Sequence, residues 1–288
     1  MDKKYLGVIY IIISALGFAF MDFFVRLSGD LPFVQKVFFR NIVALVIVFP
    51  ILIKESHPKV TDKSSWALMV LRSLCGTIGI FGNFYAIDHL VLSDASILNK
   101  LSPFCTLLFS WWFLKEKISP VRLLLVIGAF VGSLFIIKPT GFGNATFLPS
   151  LVGLLGGIGA GAAYTCVRAL GKRNVNGTLI VFVFSLISSL ISLPFFIHYG
   201  IPMSRGQLVC LLCAGLAATV GQFGITTAYR YAPSREISIY DYTNVVFTAI
   251  LGYLFFAQVP DFWSFTGYMV IFAMALLMFF YTKRHDDQ

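Results

Sequence analysis

The chain has 288 residues, of which 58% are hydrophobic and only 12% carry a charge. A soluble domain usually contains about 25% charged residues, so this chain has too few polar groups to cover a soluble surface. The formal net charge is +9 and the mean hydropathy is +0.85. We therefore predict a polytopic membrane protein.

Apolar segments long enough to cross a membrane recur along the whole chain. A spanning helix needs about 20 predominantly apolar residues, and Pro, Gly and charged residues separate such runs. In chain order we expect ten spans near 6–28, 33–53, 66–87, 92–114, 119–137, 149–170, 178–198, 206–229, 236–256 and 262–282. The predicted fold is all-α and integral to the membrane, with short connections.

The basic residues favour one side of this arrangement. Two of them, Lys138 and Arg205, would face one side. The other side, which holds both termini, would carry Lys3, Lys4, Lys54, Lys59, Lys63, Lys115, Lys117, Arg122, Lys172, Arg173, Arg230, Arg235, Lys283 and Arg284. Cytoplasmic loops are enriched in Lys and Arg, so we expect a multi-pass protein of the cytoplasmic membrane with both termini cytoplasmic. This bias accounts for the basic composition, and no nucleic-acid partner is expected.

A polar stripe occurs twice, 142 residues apart, in the fourth and ninth predicted spans. Its members are Ser96, Asn99, Ser102 and Thr106 in the first copy and Ser238, Asp241, Asn244 and Thr248 in the second. A polar helix face is costly in lipid unless it faces protein or a water-filled cavity. The two copies therefore suggest a cavity that both halves of the chain line.

The same offset of 142 residues aligns further positions, including Gly79 with Gly221 and Gly82 with Gly224. We divide the chain into two five-helix repeats, 1–141 and 142–288, which together form one membrane domain. Because five is odd, the second repeat enters the membrane from the opposite side. Inverted repeats place a substrate site near the midplane and permit alternating access.

Several motifs resemble the drug/metabolite transporter superfamily, EamA branch. They are Ser93-Asp94-Ala95-Ser96, Leu101-Ser102-Pro103-Phe104, Phe113-Leu114-Lys115-Glu116-Lys117, Gly128, Gly132 and Ile136-Ile137-Lys138-Pro139, together with Arg40 and Arg72. The resemblance covers nearly the whole chain and implies a ten-helix, five-plus-five inverted fold. Residues 240–242 and 256–261 are similar to members that include S-adenosylmethionine carriers, although Gln258 replaces the usual acidic residue and Asp241 replaces a residue that is often Arg.

Charged groups deep in the predicted spans are candidate ligands. Asn99, Lys100 and Asp241 fall within about 4–8 Å of the midplane at 1.5 Å per residue. The Asp241 carboxylate beside tyrosine rings suits a cationic group, whereas arginines suit a carboxylate or phosphate. We therefore expect a zwitterionic metabolite. The candidate substrate-binding residues are Asp241, Asn244, Tyr242, Tyr240, Asn99, Lys100, Ser102, Asn83, Gln222, Tyr164, Arg40 and Arg72.

Other intramembrane charges are interpreted as gates or structural groups. Asp22 and Arg26 are four residues apart and can pair along one helix, while Asp94 and Glu236 begin helices, where a carboxylate favours the helix dipole. The predicted gate or structural charges are Asp22, Arg26, Lys36, Asp94, Arg168 and Glu236. An alternative for Asp241 is that it permanently neutralises Lys100 or Arg72.

The predicted function is a secondary transporter that moves a small polar or zwitterionic, amino-acid-like metabolite by alternating access, as a monomer or homodimer. Asp241 is a candidate carrier of a coupling proton. An alternative is an S-adenosylmethionine or nucleoside-type carrier. A membrane-embedded enzyme and a non-transporting interaction protein are alternatives from other classes. All four histidines lie in loops or at helix ends and no nucleophile or phosphate-binding motif occurs, so neither an enzyme nor a cofactor or metal site is expected.

Overall fold

The computed structural model describes residues 3–55, 62–115, 118–137, 145–231 and 240–286. Every regular element within these ranges is a helix. The helices are α1 (Lys3–Leu27), α2 (Phe33–Lys54), α3 (Lys63–His89), α4 (Leu92–Asn99), α5 (Ser102–Phe113), α6 (Pro120–Ile137), α7 (Phe147–Lys172), α8 (Gly177–Tyr199), α9 (Arg205–Tyr231), α10 (Thr243–Phe256) and α11 (Phe262–Asp286). Eight helices of the described ranges are long and apolar enough to cross a membrane, which confirms the all-α membrane fold.

The fourth and ninth spans, which we predicted as continuous helices, are both interrupted. Lys100 and Leu101 separate α4 from α5. In the second half a helical turn ends at Asp241, and Tyr242 precedes α10. Lys100 and Tyr242 are 142 residues apart, so the interruptions are equivalent. Pro103 favours the first one because it has no N–H to continue the helix.

Helices of the two halves also share their bounds and partners. The limits of α3 and α9 differ by 142 residues at both ends. Helix α1 packs along α9, and the equivalent pair is α3 along α7, while α2 packs against α8. The two halves therefore interlock. The predicted boundary between residues 141 and 142 lies outside the described residues and stays a prediction.

Small residues allow the equivalent helix pairs to approach closely. A Cβ atom on Gly82 of α3 would lie 2.6 Å from the carbonyl oxygen of Val152 in α7. In the other pair, a Cβ atom on Gly17 would lie 2.8 Å from the backbone nitrogen of Gly221, whose carbonyl accepts a 2.7 Å hydrogen bond from Ser14. Close backbone contact of this kind is typical of membrane helices.

Large apolar side chains cover much of the outer surface. Trp112, Ile197 and Phe262 are 69%, 74% and 76% exposed, and lipid tails solvate such groups. The interior instead buries many hydroxyl, amide and charged side chains. This inside-out distribution places polar chemistry at the centre of the helix bundle.

Candidate substrate-binding site

A central cavity of about 70 Å³ lies between helices of both halves. Its lining residues are Phe18, Met21, Asp22, Arg40, Arg72, Gly76, Gly79, Ile80, Asn83, Phe84, Ser96, Asn99, Lys100, Ala160, Ala163, Tyr164, Phe184, Gln222 and Asn244. Sites for small molecules usually measure about 300–1,000 Å³. The cavity is therefore contracted, and the surrounding helices must separate to admit a metabolite.

Two buried arginines flank one aromatic ring at the cavity. The guanidinium carbons of Arg40 and Arg72 lie 5.3 Å and 3.6 Å from the centroid of the Phe184 ring. Arg40 donates one hydrogen bond, from Nη1 to Oδ1 of Asn41 at 2.6 Å. Nε of Arg40, together with Nε and Nη1 of Arg72, is buried without a hydrogen-bond partner. Among the described residues, neither arginine forms an ion pair.

Asp22 lines the same cavity, although we predicted it as a gate or structural charge. Its Oδ1 accepts a hydrogen bond from Nδ2 of Asn83 at 3.2 Å, and its Oδ2 accepts from Oγ of Ser96 at 3.4 Å. The possible pairing with Arg26 is not formed. Asp22 points into the bundle, whereas Arg26 donates to the carbonyl of Ile87 at the end of α3.

Lys100 and Asp241 connect the two interrupted helices. Nζ of Lys100 lies 2.9 Å from Oδ2 of Asp241, and both side chains are buried. The hydroxyl of Tyr242 donates to the Lys100 carbonyl at 2.9 Å, which satisfies a backbone group that the interruption frees. Oδ1 of Asp241 is buried without a partner. Asp241 is therefore paired as in the alternative interpretation, and it does not line the cavity.

Polar residues that face the cavity include amides of both halves. Asn83 and Gln222 each bury a side-chain oxygen that has no hydrogen-bond partner among the described residues. Asn244 donates from Nδ2 to the carbonyl of Ala15 at 2.9 Å. Asn99 lines the cavity from the end of α4. Buried amide oxygens are normally hydrogen-bonded, so these unpaired atoms are available to a ligand or to water.

Three candidate residues lie away from the cavity. Tyr240 packs against Phe279 and Tyr242 packs against Phe272, while the carbonyl of Ser102 accepts a hydrogen bond within α5. Their placement differs from our prediction because helix interruptions turn neighbouring side chains in directions that a regular helix does not predict. Tyr164, by contrast, lines the cavity as predicted.

Sequence reasoning missed several lining residues. Phe18 and Phe184 contribute aromatic faces, but an aromatic residue in an apolar span is indistinguishable from a lipid-facing one. Ser96 belongs to the polar stripe and was left out of the candidate set. Gly76 lies directly beside Nη1 of Arg72, since an added Cβ atom there would be 3.2 Å from that nitrogen.

Polar contacts close the end of the bundle at the α1–α2 connection. Lys36 forms an ion pair with Asp88 at 2.5 Å. The side chain of Gln35 makes two hydrogen bonds, of 3.0 Å and 3.1 Å, with the backbone of Ile201. Nearby, Asp94 accepts a 2.6 Å hydrogen bond from the Tyr268 hydroxyl. These contacts separate the cavity from this end.

The opposite end is closed by contacts between the two halves. Arg173 pairs with Asp62 at 3.2 Å, and Glu55 accepts hydrogen bonds from Asn176 and Thr178 at 2.7 Å and 2.9 Å. Hydrogen bonds from Ser65 lower the pKa of Asp62, which keeps it ionised at neutral pH. The cavity is thus closed at both ends.

Two predicted gate or structural charges remain. Arg168 lies in the last turns of α7. Glu236 and the stripe residue Ser238 lie outside the described residues.

Known transporters resemble this chain over most of its length. The pseudopaline exporter of Pseudomonas aeruginosa is 29% identical over 267 residues, which cover 92% of this chain and 93% of the exporter. Human solute carrier family 35 member G1 is 29% identical, covering 93% of this chain and 77% of that protein. A riboflavin transporter of Brucella anthropi is 24% identical, covering 89% and 90%.

A solved crystal structure shares the fold. It superposes with a TM-score of 0.69 at 14% sequence identity and covers 98% of this chain and 99% of its own. Residues 5–138 and 148–280 each match the sequence model of the EamA-like transporter family. The relatives are transporters rather than enzymes. The chain therefore belongs to the EamA-like transporter family of the drug/metabolite transporter superfamily and is a multi-pass membrane transporter of small molecules.

Proposed function

We propose that this transporter carries a small polar, zwitterionic metabolite and that the central cavity is its substrate site. One observation carries the proposal. Both halves of the chain contribute buried polar atoms to the cavity that have no partner among the described residues, including the amide oxygens of Asn83 and Gln222. Unpaired buried polar groups are costly, and a substrate that bonds to them recovers that cost.

Alternating access is the proposed mechanism. The cavity is closed at both ends by short lists of polar contacts, and the helices that form the two ends are related by the 142-residue offset. Exchanging the conformations of the two halves would open one end and close the other. The cavity lies within one chain, so a monomer suffices, and a homodimer would contain two independent sites.

The cellular placement and the coupling ion also belong to this proposal. The excess of basic residues on one side supports a cytoplasmic membrane location with both termini cytoplasmic. A coupling proton would bind Asp241, whose Oδ1 is unpartnered, after Lys100 has moved away. The names of the relatives support metabolite transport. Since those named substrates differ, they do not transfer a substrate to this chain.

Gln222→Leu tests the site. The substitution removes an unpartnered buried oxygen, so the variant should fold with at least wild-type stability. We expect it to lower uptake into proteoliposomes about tenfold, because a substrate hydrogen bond in a buried site contributes roughly 1.4 kcal/mol or more. A thermal-shift screen of amino acids, nucleosides and polyamines supplies the solute.

Ser264→Ala is the matched control for Gln222→Leu. Ser264 also buries an oxygen without a partner, but it lies in α11 and outside the cavity. Its variant should transport at the wild-type rate. Equal uptake by Gln222→Leu and wild-type protein would contradict the assignment of the cavity as the substrate site.

A further inference from the structure

The cavity has an uneven charge inventory. Four of its described lining residues are ionisable: Asp22, Arg40, Arg72 and Lys100. Lys100 is neutralised by Asp241, which lies just outside the cavity. Two cationic side chains therefore face one carboxylate, and the difference of 2 − 1 leaves a net charge of +1.

The two arginines have the geometry of an anion site. Their guanidinium groups lie near one Phe184 ring, and three of their nitrogens are buried without a hydrogen-bond partner. Both residues are only 2% exposed. Arginine is rarely buried unless it is paired, and two neighbouring cations without an anion are costly in a low-dielectric interior. A carboxylate matches the planar fork of a guanidinium in a bidentate pair.

Asp22 supplies the opposite charge at another level of the cavity. Its partners, Asn83 and Ser96, are neutral and bond at 3.2 Å and 3.4 Å, so the carboxylate retains its attraction for a cation. The Arg72 guanidinium lies beside Gly76. Gly76 and Asn83 are seven residues apart on α3, or about 10 Å at 1.5 Å per residue. After a hydrogen-bond length of about 3 Å at each end, a ligand would span roughly 4–5 Å between its charges.

We propose that the transported metabolite is an amino dicarboxylate of net charge −1, a class that rests on the proposed function of the cavity. Arg40 and Arg72 bind its two acid groups, and Asp22 binds its ammonium group. The ligand's charge, −2 + 1, balances the +1 of the cavity. The spacing suits a short chain between the ammonium and the distal carboxylate. A neutral amino acid would leave one arginine unpaired.

Three solutes test this charge pattern on the purified protein. L-glutamate has both acid groups and the ammonium, glutarate lacks the ammonium, and L-glutamine lacks the distal carboxylate. We expect glutamate to raise the melting temperature most, with smaller shifts for the other two, because ligands stabilise the state that they bind. Asp22→Asn should remove the preference for glutamate over glutarate.

Arg72→Gln gives a second, ligand-independent readout. Without solute the variant should melt at a higher temperature than the wild type, because it removes a buried charge that lacks a counterion. Its affinity for glutamate should fall about 30-fold or more, since loss of one partner of a buried charge pair has an effect of this size. Arg205→Gln is the matched control because Arg205 is exposed at the start of α9, and it should change neither property.

The outcomes separate this inference from the proposed function. The inference is overturned if neither glutamate nor glutarate stabilises the wild type, if glutamate stabilises Arg72→Gln equally, or if Arg72→Gln melts below the wild type. Glutamate binding without its uptake into proteoliposomes would instead refute the proposed function. Transport of a neutral or cationic solute that Arg72→Gln leaves unchanged would refute the inference and retain the transporter.

Discussion

At the scale of single residues, the ion pair between Lys100 and Asp241 has the largest predicted energetic effect. Both side chains are buried and 2.9 Å apart, and each belongs to a different interrupted helix. Buried ion pairs contribute little net stability relative to apolar replacements. Removing one partner, however, strands a charge in a low-dielectric interior. The pair therefore gives a clear mutational signature.

Asp241→Asn should lower the free energy of unfolding by about 3–5 kcal/mol, because Lys100 would remain charged and unpaired. The double variant Asp241→Asn/Lys100→Met should recover most of that loss. Melting temperature in detergent and yield from membranes measure both effects. Normal stability of the single variant with lost uptake would assign the Asp241 charge to substrate or proton binding.

Residues at the cavity could be predicted where polarity made them conspicuous. Asn83, Gln222 and Arg72 lie in apolar spans, and lipid excludes such groups, so each had to face the interior. The partner of Asp241 could not be chosen from sequence, since Lys100 and Arg72 were both deep enough. Phe184 gave no signal because its role depends on the two guanidinium groups that it separates.

At the scale of helices, close backbone contact joins the two halves. Gly82 of α3 lies against α7, where an added Cβ atom would be 2.6 Å from the Val152 oxygen and 2.7 Å from Cα of Gly156. Backbone atoms cannot rotate away as a side chain can. Any residue larger than glycine must therefore push α3 away from α7.

Gly82→Ala should lower the free energy of unfolding by roughly 1–3 kcal/mol, the usual effect of overpacking. Gly171→Ala is the control, because nothing lies within 4 Å of its added Cβ atom and alanine favours a helix over glycine by up to about 1 kcal/mol. Comparing the two melting curves isolates the contact. Equal stability of Gly82→Ala and Gly171→Ala would mean that α3 and α7 do not approach this closely.

The helices themselves were largely predictable, but their interruptions were not. Apolar runs of about 20 residues located the spans to within several residues, since bilayer thickness sets their length. Pro103 could have indicated the interruption after α4. The equivalent site at Tyr242 is followed by threonine and asparagine, with neither glycine nor proline. It depends instead on the tertiary hydrogen bond to the Lys100 carbonyl.

At the scale of the whole molecule, the sequence repeat was sufficient to predict the architecture. The 142-residue offset and the odd helix count together indicated two inverted halves. The specific contacts of α1 with α9 and of α3 with α7 required coordinates, because several pairings place polar stripes at the centre. The closure of both ends also could not be predicted, since it depends on side chains such as Gln35 that contact a distant backbone.

Sidedness of access to the cavity tests the transport account most directly and needs no known substrate. In a cysteine-free background, Asn99→Cys would place a thiol at the cavity. An impermeant thiol reagent should label it when added to either side of oriented proteoliposomes, because alternating access exposes the cavity to each side in turn. Ser133→Cys, buried in α6 outside the cavity, should react from neither side. Labelling of Asn99→Cys from one side only, or from neither, would contradict alternating access through this cavity.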